Sequence, residues 1–160
     1  MKIQKKRACS SVVERRPYKT DAEGSIPSMP NMKSVVICGS RRFKPEMRKF
    51  ADELKKFGVI VFEPYLHQRK EDEWQKIPDG YKKFVSLGLT HDHFYKIKMA
   101  DVVYVYNKGG YCGCSTTLEI GGAVVLGKPI YVFSEDEELA RNSLFREIIK
   151  TPKDLVKRLQ

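Results

Sequence analysis

Several things are scarce in this chain of 160 residues, and each scarcity excludes something. No apolar run approaches the roughly 20 residues that cross a bilayer. No basic start, apolar stretch and small-residue cleavage site mark a secretory leader. A cytoplasmic protein without a membrane partner is therefore expected. Cysteine occurs four times, at Cys9, Cys38, Cys112 and Cys114, too sparsely for a disulfide scaffold. Cys112-x-Cys114 has no second pair to complete a zinc site, so these are read as buried or loop thiols and no metal is expected. A Gly-rich loop is present but no Gly-Lys-Ser/Thr follows it, and Gly39-Ser40-Arg41-Arg42 does not make a dinucleotide fingerprint. No cofactor is implied.

Acidic residues are the scarcer charge, 20 against 30 Lys and Arg, for a net charge of +10. A basic balance favours anionic partners. With no nucleic-acid motif and no aromatic–basic repeat, a small phosphorylated ligand is the expected partner rather than DNA or RNA. The plainer alternative is a soluble basic surface with no specific partner.

The first 31 residues hold seven Lys and Arg against three Asp and Glu, and no apolar periodicity. They are expected to be a disordered tail. Read back through the genetic code, "CSSVVERRPYKTDAEGSIPS" (Cys9 to Ser28) fits a transfer-RNA gene, with "SSVVE" as a D-arm and "GSIP" as a T-arm. On that reading translation starts at Met32 or Met29 and the tail is not part of the protein. The domain then spans residues 32–160.

Within it, "SVVICGS" (Ser34 to Ser40) reads as a buried strand ending in a glycine turn. Met47, Phe50, Ala51, Leu54 and Phe57 recur at helical spacing over Pro45 to Phe57, and Gly58 stops that helix. "VIVFEP" (Val59 to Pro64) is a second strand, which makes a parallel βαβ unit. Residues 65–89 read as a polar, irregular lid or specificity segment holding at most a short helix at Tyr81 to Ser86. Thr90 is expected to cap a helix through Met99. "DVVYVY" (Asp101 to Tyr106) is a central strand, a helix runs from about Ser115 to Leu126, and "PIYVF" (Pro129 to Phe133) is a fourth strand. A helix at Leu139 to Leu144 and a short edge strand at Phe145 to Lys150 come next. Thr151-Pro152 opens the last helix. The fold class is α/β: a single-domain, doubly wound, mostly parallel sheet of about five strands, Rossmann- or flavodoxin-like. Ligands in such folds bind at the carboxyl ends of the strands, which here carry Gly39 to Phe43, Tyr65 onward, and Asn107 to Ser115.

The last of these loops is the most informative. Gly109, Gly110 and Gly113 allow backbone to approach a ligand, while Ser115, Thr116 and Thr117 bring hydroxyls and amides to a helix N-terminus suited to an anion. Glu119 follows, and two readings of it stand open. Thr116-x-x-Glu119 matches a capping box, in which the carboxylate folds back onto the backbone. Alternatively, Glu119 does chemistry at the mouth of a pocket. Ser40 and Arg41, where the first strand opens, are candidates to hold a phosphate, and Tyr65 a candidate to stack on a base. Asp101 reads as structural. His91-Asp92-His93 reads either as a polar helical turn or as a source of an acid/base near neutral pH.

"HFYKIKMADVVYVYN" and "STTLEIGGAVVLGKPIYVF" together resemble the nucleoside 2-deoxyribosyltransferase superfamily, including its 5′-phosphate N-hydrolase branch. The resemblance spans about Ser34 to Phe133 and is most specific at Glu-Ile-Gly-Gly-Ala with Gly-Lys-Pro behind it. It implies cleavage or transfer at the N-glycosidic bond of a nucleoside or nucleoside 5′-monophosphate. The family glutamate that attacks C1′ matches Glu119. His93 or Asp92 would be the acid/base. Gly39, Ser40, Arg41, Tyr65, Gly110, Gly113, Ser115 and Thr116 would line the substrate site. It also implies a homodimer or higher homo-oligomer. Two family aspartates are replaced, one by Gly113 and the other by His93. A non-catalytic Rossmann-like nucleotide sensor is the second reading. A phosphoribohydrolase of the cytokinin-activating type is the third, since "GGYCGCSTTLE" approximates its Gly-Gly-x-Gly-Thr loop.

Overall fold

A computed structural model describes residues 33–65 and 71–159; the tail and the proposed translation start lie outside them. Five strands form one sheet in the order β2-β1-β3-β4-β5, and every neighbouring pair is parallel. The strands are β1 (Ser34–Gly39), β2 (Ile60–Phe62), β3 (Val102–Tyr106), β4 (Ile130–Val132) and β5 (Glu147–Ile148). The chain leaves β1 towards one edge and returns to β3 on the other side of it. This crossing is the switch point at which doubly wound sheets bind ligands.

Alternation along the strands decides which residues see which layer. Val35 and Ile37 of β1 face Met47, Phe50 and Leu54 of helix α1 (Lys44–Lys56) and Leu155 and Leu159 of helix α6 (Pro152–Leu159). Val36 and Cys38 point the other way, against Ile97 of helix α3 (Asp79–Met99) and Ile120 and Ala123 of helix α4 (Cys114–Val125). Helices thus cover both faces, as an all-parallel sheet requires. Two short helices, α2 (Glu71–Gln75) and α5 (Leu139–Asn142), complete the set.

Two polar pairs fix the sheet ends. Asp101 accepts from Ser34 N at 2.7 Å and Ser34 Oγ at 2.8 Å, at the end of the strands away from the loops, as its structural reading expects. Asn107, fully buried, exchanges two 2.8 Å hydrogen bonds with the backbone of Ser134, tying β3 to the segment after β4.

Helix α3 corrects the sequence reading. The later part of the segment taken as irregular, from Asp79 on, belongs to one helix of 21 residues, and Thr90 lies inside it, donating from Oγ1 to Ser86 O at 2.8 Å rather than capping. Val85, Leu89, His93 and Ile97 face inward at every fourth position, with the two ends of that row half-buried and buried. That stripe is hard to read because its third member is a histidine, while Tyr81, Phe84 and Leu87 beside it are exposed. Gly80 and Gly88 weaken the helical signal by about 1 kcal/mol each without breaking the helix.

Candidate functional site

The site is assembled where β1, α3 and α4 meet. Glu119 is the sixth residue of α4, one turn further in than a capping box needs. The helix is capped by Gly113, which has no side chain to offer, so Thr116 is not at the cap position and Glu119 has nothing to reciprocate. Its carboxylate turns inward instead. Oε1 lies 3.6 Å from His93 Nε2, and His93 Nε2 lies 3.4 Å from Cys38 Sγ. The three donor atoms fall within 4.8 Å of one another. Neither Glu119 Oε2 nor His93 Nδ1 has a hydrogen-bond partner among the described residues, although both atoms are buried.

Burial sets the electrostatics. It pushes the Glu119 carboxyl up from 4.5 to about 7, and the Cys38 contact opposes this only in part. It pulls His93 down from 6.5 to about 4, helped by Lys96 and opposed by Asp92. Cys38 is raised well above its ordinary value, first by burial and then by Glu119. At neutral pH the cluster therefore holds a thiol, a neutral imidazole and a carboxyl poised between its two forms.

A cavity of about 370 Å³ opens beside this cluster, within the size range of small-molecule sites. Among the described residues, Glu119 is the only carboxylate in its wall and Arg41 the only cation. Gly39, at the tip of β1, allows close packing: a Cβ there would lie 2.9 Å from Tyr106 O and 2.8 Å from Met47 Sδ. The chain then turns through a 3-10 segment, Arg41 to Phe43, capped by Ser40, whose Oγ accepts from Arg42 N at 3.4 Å. Arg41 is exposed at the rim, whereas Arg42 turns away and stacks 3.5 Å over the Tyr111 ring.

Gly113, Ser115 and Thr116 line the cavity at the start of α4, where first-turn amides have no intrahelical acceptor and attract anions. Tyr65 lines the wall after β2. Of the residues singled out from sequence, Glu119, His93, Gly39, Ser40, Arg41, Tyr65, Gly113, Ser115 and Thr116 all reach this one cavity. Two do not. Asp92 points to solvent and pairs with Lys96 at 2.7 Å, because it is one residue away from the inward row of α3. Gly110 is buried under the following loop, where a Cβ would lie 2.9 Å from Glu135 O.

Sequence reasoning gave Cys38 no role. The available signal was its parity in β1, which places it on the α3–α4 face immediately before the glycine at the strand tip. Phe94 and Leu118, which belong to the apolar part of the wall, were also missed. Phe94 packs on Gly122, where a Cβ would sit 2.7 Å from its ring.

No protein-family model and no curated protein matches this chain. Solved structures do match. A 2-deoxyribosyltransferase from Bacillus psychrosaccharolyticus is similar with a TM-score of 0.55 and 21% identity, over 76% of this chain and 89% of that one. A conserved protein from Enterococcus faecalis V583 is similar with a TM-score of 0.52 and 15% identity, over 80% of this chain and 97% of that one. The CMP N-glycosidase BcmB of Clostridium botulinum matches at a TM-score of 0.45 and 20% identity, over 79% and 98% of the two chains. The fold expected from the alternation of strands and helices, an α/β doubly wound sheet in a single domain, is the observed one.

Proposed function

We propose that the protein cleaves or transfers at the N-glycosidic bond of a nucleoside or nucleoside 5′-monophosphate, with Glu119 as nucleophile. One observation carries the reading: a largely buried carboxylate, the only one among the described residues in the wall of a small-molecule cavity, unclaimed by its own backbone. Its place in a fold shared with a 2-deoxyribosyltransferase agrees with this.

In the proposed mechanism the Glu119 carboxylate attacks C1′ and forms a glycosyl ester. The C–N bond breaks, its electron pair leaves with the base, and the base takes a proton from solvent. A carboxylate suits this step because positive charge develops at C1′. Water or a second base then attacks C1′, the ester C–O bond breaks, and the carboxylate is restored. His93, neutral at pH 7, is suited to accept the proton of the incoming nucleophile. Arg41, Ser115 and the amides opening α4 are suited to a 5′-phosphate. Tyr65 and Phe94 are suited to the apolar face of a base.

The test is base release, followed by chromatography, from a panel of nucleosides and 5′-monophosphates. Release that disappears in Glu119→Ala supports the reading. Release that survives it, or none across the panel, overturns it. The absence of a second carboxylate from the cavity wall among the described residues favours the sensor as second reading, and binding without release, unaffected by Glu119→Gln, would select it. We also propose a homo-oligomer. Tyr81, Phe84 and Tyr95 of α3 and Leu118 and Val125 of α4 are each more than half exposed, and a second copy would cover such a surface. Sedimentation equilibrium giving a monomer mass would refute it.

A further inference from the structure

Cys38, His93 and Glu119 offer one sulfur, one nitrogen and one oxygen to a single point, a donor set that nucleophilic catalysis by Glu119 alone does not require. Zinc bonds of about 2.0–2.3 Å arranged tetrahedrally place neighbouring donors roughly 3.3–3.6 Å apart. The observed separations are 3.4 Å from Sγ to Nε2 and 3.6 Å from Nε2 to Oε1, with all three donors within 4.8 Å of one another. They come from three different elements, so the point they share is held by the sheet and both helices. His93 is 5% exposed, and neither its Nδ1 nor Glu119 Oε2 is held by the protein among the described residues. The imidazole is therefore free to carry its proton on Nδ1 and present the Nε2 lone pair. His93 and Glu119 line the cavity and Cys38 stands behind them. Three ligands then leave one coordination position facing the open side, the arrangement of a zinc site with an exchangeable fourth ligand.

We propose that Cys38, His93 and Glu119 form a three-ligand site for Zn²⁺ or a similar borderline-soft divalent ion, open to the cavity at its fourth position. Hard ions such as Mg²⁺ are disfavoured by the thiolate and imidazole. Binding displaces the Cys38 thiol proton to solvent, together with the Glu119 proton where that is present, and no electrons are transferred. Because the ion takes the Glu119 carboxylate, it competes with attack on a sugar. The site is thus a point of reversible zinc inhibition. That last consequence rests on the function proposed above; the binding itself does not.

Cobalt(II) added to the metal-free full-length protein is the probe. The expected result is a near-ultraviolet thiolate-to-cobalt band with the visible ligand-field bands of a four-coordinate ion, both abolished by Zn²⁺ and unaffected by Mg²⁺. The bands persist in Cys112→Ser/Cys114→Ser and are lost in Cys38→Ala. His93→Gln, which keeps the thiol, weakens Zn²⁺ binding at least about tenfold; circular dichroism confirms that each variant is folded. No thiolate band in the wild type, or the same band in Cys38→Ala, overturns the site. Base release that falls on adding Zn²⁺ and returns with EDTA supports the inhibitory role. A wild-type cobalt spectrum with no base release leaves the metal site standing and removes only the enzyme.

Discussion

Replacing Glu119 by glutamine keeps the side-chain volume and removes its ionisation, so it isolates what the buried carboxyl does to the fold. The carboxyl titrates at about 7 in the folded protein against an ordinary value of 4.5, because burial disfavours its charged form. A raised folded value means the unfolded chain releases this proton first. The stabilising contribution is full below about 4.5 and is lost as pH rises through 7. With about 1.4 kcal/mol per unit, the carboxyl costs roughly 3 kcal/mol at pH 8 and about 0.8 kcal/mol near pH 5. Glutamine has no such dependence. The variant should therefore gain about 2–3 kcal/mol relative to wild type between pH 5 and pH 8, or roughly 5–10 °C in Tm for a domain of this size. Its amide adds a constant term of about 1–3 kcal/mol where a buried donor goes unpaired, so the slope of the difference is the informative quantity. His93 has the opposite dependence: its lowered value contributes stability that is present above 6.5 and lost as pH falls towards 4. That term is common to both proteins and cancels. Thermal unfolding followed by circular dichroism from pH 5 to 8, with EDTA present, measures the difference. A wild-type-to-variant gap that stays constant over this range refutes the buried-carboxyl account.

Three further outcomes are expected. Base release should rise with pH as Glu119 ionises near 7 and then level off, and Glu119→Ala should lower it by about three orders of magnitude or more; a kcat/KM that falls from pH 6 to 8 contradicts the assignment. Asp92→Asn should leave base release within about twofold, because that side chain is paired with Lys96 outside the cavity, whereas His93→Gln should slow the second half-reaction; burst kinetics separate the two. Gly122→Ala places a Cβ 2.7 Å from the Phe94 ring and should cost about 1–2 kcal/mol in urea unfolding even after the helix-propensity gain, with KM rising because Phe94 is part of the cavity wall.

What could be read from sequence was what strand alternation, helical spacing and turn chemistry encode locally. β1, β3 and β4 are short apolar runs with turn residues behind them, and all three lie where expected. The loop from Asn107 to Ser115 was placed at a ligand site because glycine, hydroxyl and helix N-terminus coincide there. Helix α3 was misread because its inward row includes His93 and its outward side carries aromatics, so the usual contrast between apolar and polar faces is lost. Asp92 was offered alongside His93 because adjacent residues cannot be told apart until the phase of the helix is known. The choice between cap and cleft for Glu119 turned on where α4 begins. With Gly113 as cap, the carboxylate is in the second turn and beyond reach of the cap amide.

Under the proposed function, the two positions where the resembled family has aspartates, Gly113 and His93, have an electrostatic consequence. A second carboxylate close to Glu119 would raise its titration still further through like-charge repulsion. Neutral His93 does not, and in the proposed mechanism it is the proton acceptor 3.6 Å from Glu119. With glycine at 113, no side chain competes for the first-turn amides of α4, which stay available to an anion. Among the described residues the cavity wall then holds Arg41 at its rim and Glu119 as its one carboxyl. Such a cavity suits a substrate that brings its own negative charge, so a 5′-monophosphate should be preferred over the corresponding nucleoside.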